Sequence, residues 1–159
     1  MVNVGYWSAE ELAQQVTQEG SIELTYTDSR ARVDVSRLKA RDMFAPIAGG
    51  FILHPPMPGE NSTIIFRNVA IENRRRFTAR ASIENAQATQ GIVFAVTIEA
   101  AGVQIATEQC TVHPDEIAEF DVSIETGEAT IDVVLTTEMD VGAANNYYSW
   151  ATWSDARIS

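Results

Sequence analysis

The sequence predicts an all-β fold, an antiparallel sandwich or barrel, with one helix ahead of it. Three observations carry this. Apolar residues alternate with period two through most of the chain beyond Gly20. The alternating runs are rich in β-branched residues and recur at roughly ten-residue spacing. One segment near the start follows the helical period instead.

That segment begins at Ser8, an N-cap residue with Glu11 three positions on, which makes a capping box. Trp7 and Leu12 stand at the positions of a hydrophobic staple. Ala9, Leu12, Ala13 and Val16 form one apolar stripe and Gly20 supplies a stop, so the helix is expected over residues 9–18.

The strands follow. Ile22, Leu24 and Tyr26 face one way, with Glu23, Thr25 and Thr27 opposite. "RVDVSRL" is a candidate strand and "MFAPIAGG" reads as a connector. "HPPMPG" at residues 54–59 is a loop, because its three prolines remove three ladder donors. "RFTARASI" turns Phe77, Ala79, Ala81 and Ile83 to one face. "GIVFAVTIEA" directs Ile92, Phe94, Val96 and Ile98 inward, "EFDVSIE" does so with Phe120, Val122 and Ile124, and "ATIDVVLTTE" with Ile131, Val133 and Leu135. Ala101-Gly102 reads as a tight hairpin, and Thr126-Gly127-Glu128 is expected to make a second one.

With 159 residues the chain has the length of one domain and enough apolar side chains to bury a core without a disulfide or metal staple. A single cysteine, Cys110, excludes an internal disulfide. No apolar run has the length of a membrane span, so no membrane partner is expected. The start lacks the basic and apolar regions of a signal peptide, which leaves a cytoplasmic protein, a virion component or a fragment of a secreted parent as readings. The net charge is −11 and is unevenly spread: residues 1–80 hold ten basic against nine acidic residues, the rest one, Arg157, against thirteen. A polyanion would be repelled by the second part, so nucleic acid is not an expected partner. The same asymmetry is compatible with a solvated acidic surface or with self-association of basic and acidic faces into a homo-oligomer.

From about Gly49 to Ile158 the residues also follow the order of a known kind of domain. "GFILHPP" offers a strand ending in a histidine, and Ser62-Thr63-Ile64-Ile65-Phe66 the next strand. Phe77, Ala79 and Ala81 match a strand with an aromatic and small inward residues, and "GIVFAV" matches a "GxVxFxV" strand. Ala101-Gly102 stands at the hairpin, where Asp-Gly is usual; "DVS" and "IDVVL" supply two more strands, and "ATWSDARI" matches a closing "AxWxDARL" signature. On these residues the chain resembles the jelly-roll modules of the galactose-binding-like superfamily, most nearly the NPCBM type (novel putative carbohydrate-binding module). The resemblance implies a jelly-roll β-sandwich over residues 49–159, with residues 1–48 forming a helix and β extension packed on or beside it. It departs from the family at Ser149-Trp150, where Asp-His is frequent.

The candidate site residues come from the end of the chain and three loops. Tyr147, Tyr148, Trp150 and Trp153 are clustered, and aromatic rings stack on the C–H faces of sugars. In a regular strand Trp150 shares a face with Thr152, and Trp153 takes the other, so Trp153 is assigned to the core and Trp150 with Tyr148 to a ligand platform. Asn145, His54 and Arg74 are the polar candidates; a structural bond to the backbone is the competing role for His54. Arg74-Arg75-Arg76 is either a charged strand entrance or a contact for an acidic group. Cys110 and His113 have C-x-x-H spacing, but no second Cys/His pair exists to complete a zinc site. Asp115, Glu116 and Asp140 are loop acids that could hold a structural calcium, as such jelly rolls often do, although no EF-hand spacing supports it. No G-x-S-x-G motif or other nucleophile–base pattern is present, so no enzyme is expected. The expectation is a non-catalytic module that binds carbohydrate. The alternative is a virion- or tail-associated structural jelly roll acting through protein contacts.

Overall fold

The computed structural model describes residues 24–26, 44–47 and 50–159. The expected helix at 9–18 and the "RVDVSRL" strand lie outside these residues. The described residues form ten strands: β1 (Leu24–Tyr26), β2 (Phe44–Ile47), β3 (Gly50–Leu53), β4 (Asn61–Ala70), β5 (Arg76–Ile83), β6 (Ile92–Ala100), β7 (Val103–Val112), β8 (Ile117–Ser123), β9 (Thr130–Met139) and β10 (Ala151–Ile158). They make two antiparallel sheets, β1-β4-β9-β6-β7 (sheet I) and β2-β3-β10-β5-β8 (sheet II). From β3 onward each strand crosses to the sheet opposite its predecessor, except across the β6–β7 hairpin. This winding is the order expected of a jelly roll. β1 and β2 each add a short edge strand.

Two expectations are corrected here. The connector "MFAPIAGG" contains β2; Pro46 is tolerated because, among the described residues, β2 is an edge strand that pairs only with β3. Residues 124–129, around Thr126-Gly127-Glu128, make no hairpin, since β8 lies in sheet II and β9 in sheet I. The Ala101-Gly102 hairpin is present: Ala100 pairs with Val103, and both turn residues have positive φ, 50° and 76°, as a two-residue primed turn requires.

The inward residues of both sheets meet in one core. Ile92, Phe94, Val96 and Ile98 of β6, with Ile131, Val133 and Leu135 of β9, face Phe77, Ala79, Ala81, Phe120 and Val122 of sheet II, and all are buried. Trp153 of β10 is 0% exposed and bridges the sheets, edge-on to Phe94 at 5.2 Å and tilted against Phe120 at 5.3 Å. Gly50 permits the close approach of β3 to the β10 backbone beside it: a Cβ there would stand 2.0 Å from the Trp153 carbonyl oxygen.

Two residues in the left-handed region interrupt the alternation. Asn68 (φ 55°) bulges β4 between Phe66 and Val69, and Asp155 (φ 51°) bulges β10 between Ser154 and Arg157. Each inserts one residue, so core side chains fall three apart: Phe66 and Val69, then Trp153 and Ala156. Strict alternation from Trp153 would have driven Asp155 and Arg157 into the core. The β4 bulge is fastened by Asp132, which accepts bonds from the Asn68 N–H and the Arg67 guanidinium, both at 2.9 Å.

The registers also decide which loops are neighbours. Connections 54–60, 84–91, 113–116 and 140–150 emerge at one end of the sandwich, here the loop end. Connections 71–75, 101–102 and 124–129 emerge at the other.

Candidate functional site

The candidate residues Tyr147, Tyr148, Trp150, Asn145 and His54 all lie at the loop end, while Arg74 lies at the opposite end in the β4–β5 connection. Arg74 is therefore not part of the constellation. Its N–H donates to the Ile71 carbonyl, and its Nη1 stands 3.7 Å from the Glu72 carboxylate. Its neighbour Arg76 forks onto Asp121, Nε to Oδ1 at 2.9 Å and Nη2 to Oδ2; this pairing raises the Arg76 pKa. Arg74-Arg75-Arg76 thus leads into β5 at the end of the sandwich opposite the loop-end candidates.

Trp150 lies just before β10. Ladder pairs Thr152↔Ile52 and Ala151↔Ile83 flank β10 on its two sides. Carried to the loop end, these registers set Trp150 between His54 and Glu84, and the Glu84 N–H donates to the Trp150 carbonyl at 3.0 Å. Alternation puts the three on the side of sheet II away from the core, while Leu53 and Ala151 point inward and are fully buried. The Trp150 side chain remains 45% exposed and Trp153 is the buried one, as the sequence predicts.

The 140–150 loop carries Tyr147 and Tyr148 and is braced from two neighbouring loops. The Asp140 N–H donates to the Gly91 carbonyl, the Ala144 N–H to Gln90 Oε1 at 3.3 Å, and Asn146 Nδ2 to the Pro55 carbonyl at 3.1 Å. Asn145 Oδ1 accepts from the Tyr147 N–H at 3.0 Å and so is spent on the local turn. Tyr148 sits at φ 58° and its carbonyl accepts from the Trp150 N–H, a tight turn that leaves both tyrosines exposed. Of the large apolar side chains exposed among the described residues, only Val103 lies at the far end. Met57, Ile117, Val141, Tyr147, Tyr148 and Trp150 gather at the loop end.

His54 makes the backbone bond weighed against a ligand role: its Nδ1 donates to the Pro55 carbonyl at 2.7 Å. The acids considered for calcium belong to the loop end but do not converge; among the described residues no three His, Cys, Asp or Glu groups could hold a metal ion. Glu116 is engaged otherwise. Its carboxylate accepts from the His113 N–H at 2.8 Å and lies 3.2 Å from His113 Nδ1, which holds its pKa below the ordinary carboxylate value. Cys110 is exposed on β7 opposite Phe94.

Sequence reasoning did not find Glu84 or the pairing of Asn146 with Pro55. Both depend on register and loop adjacency between segments far apart in the chain, for which a single sequence holds no signal.

No family model matches the chain, and no curated protein matches it. Among solved structures it is similar to the CBM51 module of Clostridium perfringens GH95 in complex with methyl-galactose: 14% identity, TM-score 0.49, covering 91% of this chain and 85% of that one. It is also similar to the CBM51-2 and INT domains of Clostridium perfringens ZmpB, with GlcNAc bound to CBM51-2: 15% identity, TM-score 0.48, covering 87% of this chain and 25% of that one. The enzymatically active domain of bacteriophage CBA120 tailspike protein 4 is a third, at 11% identity and TM-score 0.42, covering 87% of this chain and 18% of that one. The chain spans a quarter of the length of a further similar structure, the CBM51-2 and INT domains from Clostridium perfringens ZmpB.

Proposed function

We propose that this chain is a non-catalytic carbohydrate-binding module of galactose-binding-like type, which holds a sugar at the loop end of the sandwich. The observation that carries the reading is the half-exposed Trp150, set between His54 and Glu84 and backed by the exposed Tyr147 and Tyr148 on a braced loop. An exposed indole offers an apolar face for stacking, and the flanking imidazole and carboxylate offer acceptors for hydroxyls. Asn145 keeps its Nδ2 amide for the ligand, since only its Oδ1 is used in the turn.

A glycan array followed by calorimetric titration with methyl-galactose and GlcNAc tests this. Binding is expected, with a loss of about tenfold or more for Trp150→Ala. The bound glycan should be recovered uncut after prolonged incubation. Absence of binding across the array would refute the reading. The six large apolar side chains at the loop end favour one alternative, an assembly contact between copies or with another protein. Sedimentation separates the two: a salt-independent monomer is expected for the binding module, and a concentration-dependent oligomer abolished by Trp150→Ala for the assembly role.

A further inference from the structure

We infer that His54 is a specificity-determining residue of the loop-end site, whose neutral form is held in one tautomer so that its Nε2 accepts a hydrogen bond from a hydroxyl of the ligand; this rests on the carbohydrate reading above. A carbonyl oxygen can only accept. The 2.7 Å bond from Nδ1 to the Pro55 carbonyl therefore requires the proton on Nδ1. A neutral imidazole carries one N–H, so Nε2 is left with its lone pair. Among the described residues no group is bonded to that nitrogen.

The ring is held by bonds drawn from different elements. Asn146 Nδ2, from the aromatic loop, donates to the same Pro55 carbonyl at 3.1 Å and so occupies its second lone pair. Ser62 Oγ, at the start of β4, donates to the His54 carbonyl at 2.7 Å and fixes the backbone. The ring of Pro55 fixes its φ and the following Pro56 restricts its ψ, which stiffens the acceptor further. Asn146 is thus a positioning residue: it sets the Pro55 carbonyl, the carbonyl sets the tautomer, and the tautomer sets what Nε2 can recognise.

The partner follows from the flanking groups. A ring stacked on Trp150 meets acceptors on both sides, Nε2 of His54 and the carboxylate of Glu84. Glu84 already accepts from Ser82 Oγ at 2.8 Å, which orients it. A ligand must then supply donors on both edges. Adjacent free hydroxyls on an uncharged sugar meet this demand. The same sugar with those hydroxyls methylated, or carrying a carboxylate or sulfate there, does not, and an anion is also repelled by Glu84.

Two experiments test the inference. The first needs no ligand: long-range ¹H–¹⁵N NMR of the imidazole rings should show neutral His54 protonated at Nδ1, and a proton on Nε2 would overturn the assignment. The second uses methyl-galactose and GlcNAc. His54→Asn keeps an amide N–H for Pro55 but has no acceptor at the Nε2 position. It should melt like the unaltered chain and bind about tenfold more weakly. His54→Gln places an oxygen near Nε2 and should retain more affinity than His54→Asn, whatever it loses in stability. Affinity kept by His54→Asn and lost by His54→Gln would make His54 a brace alone and overturn the inference while leaving the carbohydrate reading intact. No sugar binding by the unaltered chain would remove both.

Discussion

Trp150 and Trp153 are chemically identical and three residues apart, yet their surroundings leave one half-exposed and the other fully buried. Trp153 fills the space between the sheets against Phe94 and Phe120. Its replacement by alanine is expected to cost about 3–5 kcal/mol, read as a lower midpoint in denaturant. Trp150→Ala should leave the melting temperature unchanged and reduce sugar affinity. A single pair of melts and titrations therefore distinguishes core from platform. Glu116 offers a residue-scale test in pH. Its depressed pKa comes first from the His113 backbone N–H and second from the His113 ring. A carboxylate with a depressed folded pKa contributes its stabilisation above the unfolded pKa and loses it as pH falls through the folded one. NMR titration should find the Glu116 midpoint below the ordinary carboxylate range, and largely still so in His113→Ala, which keeps the main-chain bond. A midpoint restored to the ordinary value by that substitution would show that the ring dominates.

Among the strands, the bulges at Asn68 and Asp155 do what alternation cannot. In β10 the extra residue lets "WSDAR" bury Trp153 and Ala156 while Asp155 and Arg157 stay with the charged groups of the outer face, where Arg80 and Arg157 both stand 3.9 Å from the Asp155 carboxylate. The conformation at Asp155 is open to Gly and tolerable to Asp or Asn, but strained for a β-branched side chain. Asp155→Gly is accordingly expected to be nearly neutral in thermal melts, and Asp155→Val to destabilise by about 1–2 kcal/mol. In β4 the fastening of the bulge by Asp132 predicts that Asp132→Ala costs about 1–2 kcal/mol, less than a buried charged bond because the Arg67 side chain is partly exposed.

For the molecule as a whole, the winding of strands between sheets is what collects four connections at one end and brings His54, Glu84 and Trp150 side by side from positions almost a hundred residues apart. The same winding carries Arg74 to the far end, where it serves the β4–β5 connection. Residues 50–158 supply four strands to each sheet, and we propose the boundary at 48/49 as the start of an autonomous sandwich. A fragment of residues 49–159 should fold cooperatively by circular dichroism and melt somewhat below the full chain, because the edges of β3 and β4 lose β2 and β1. A fragment without a cooperative transition would place the boundary elsewhere.

What the sequence determined by itself was local. Period-two alternation located the inward faces of β5, β6, β8 and β9, the small pair Ala101-Gly102 marked its hairpin, and the parity of Trp150 against Trp153 separated an exposed ring from a core one. Each of these depends on a few consecutive residues and on steric rules that act within them. Tertiary structure alone decided the rest. Pro46 could enter a strand because β2 is an edge, and Thr126-Gly127-Glu128 crosses between sheets because its two strands pair with different partners. Arg74 came to lie at the far end, and Asn146 and Glu84 came to lie beside the loop-end candidates, through register and loop adjacency. These are properties of contacts between distant segments, selected by how the whole chain buries its apolar faces, and no short stretch of residues encodes them.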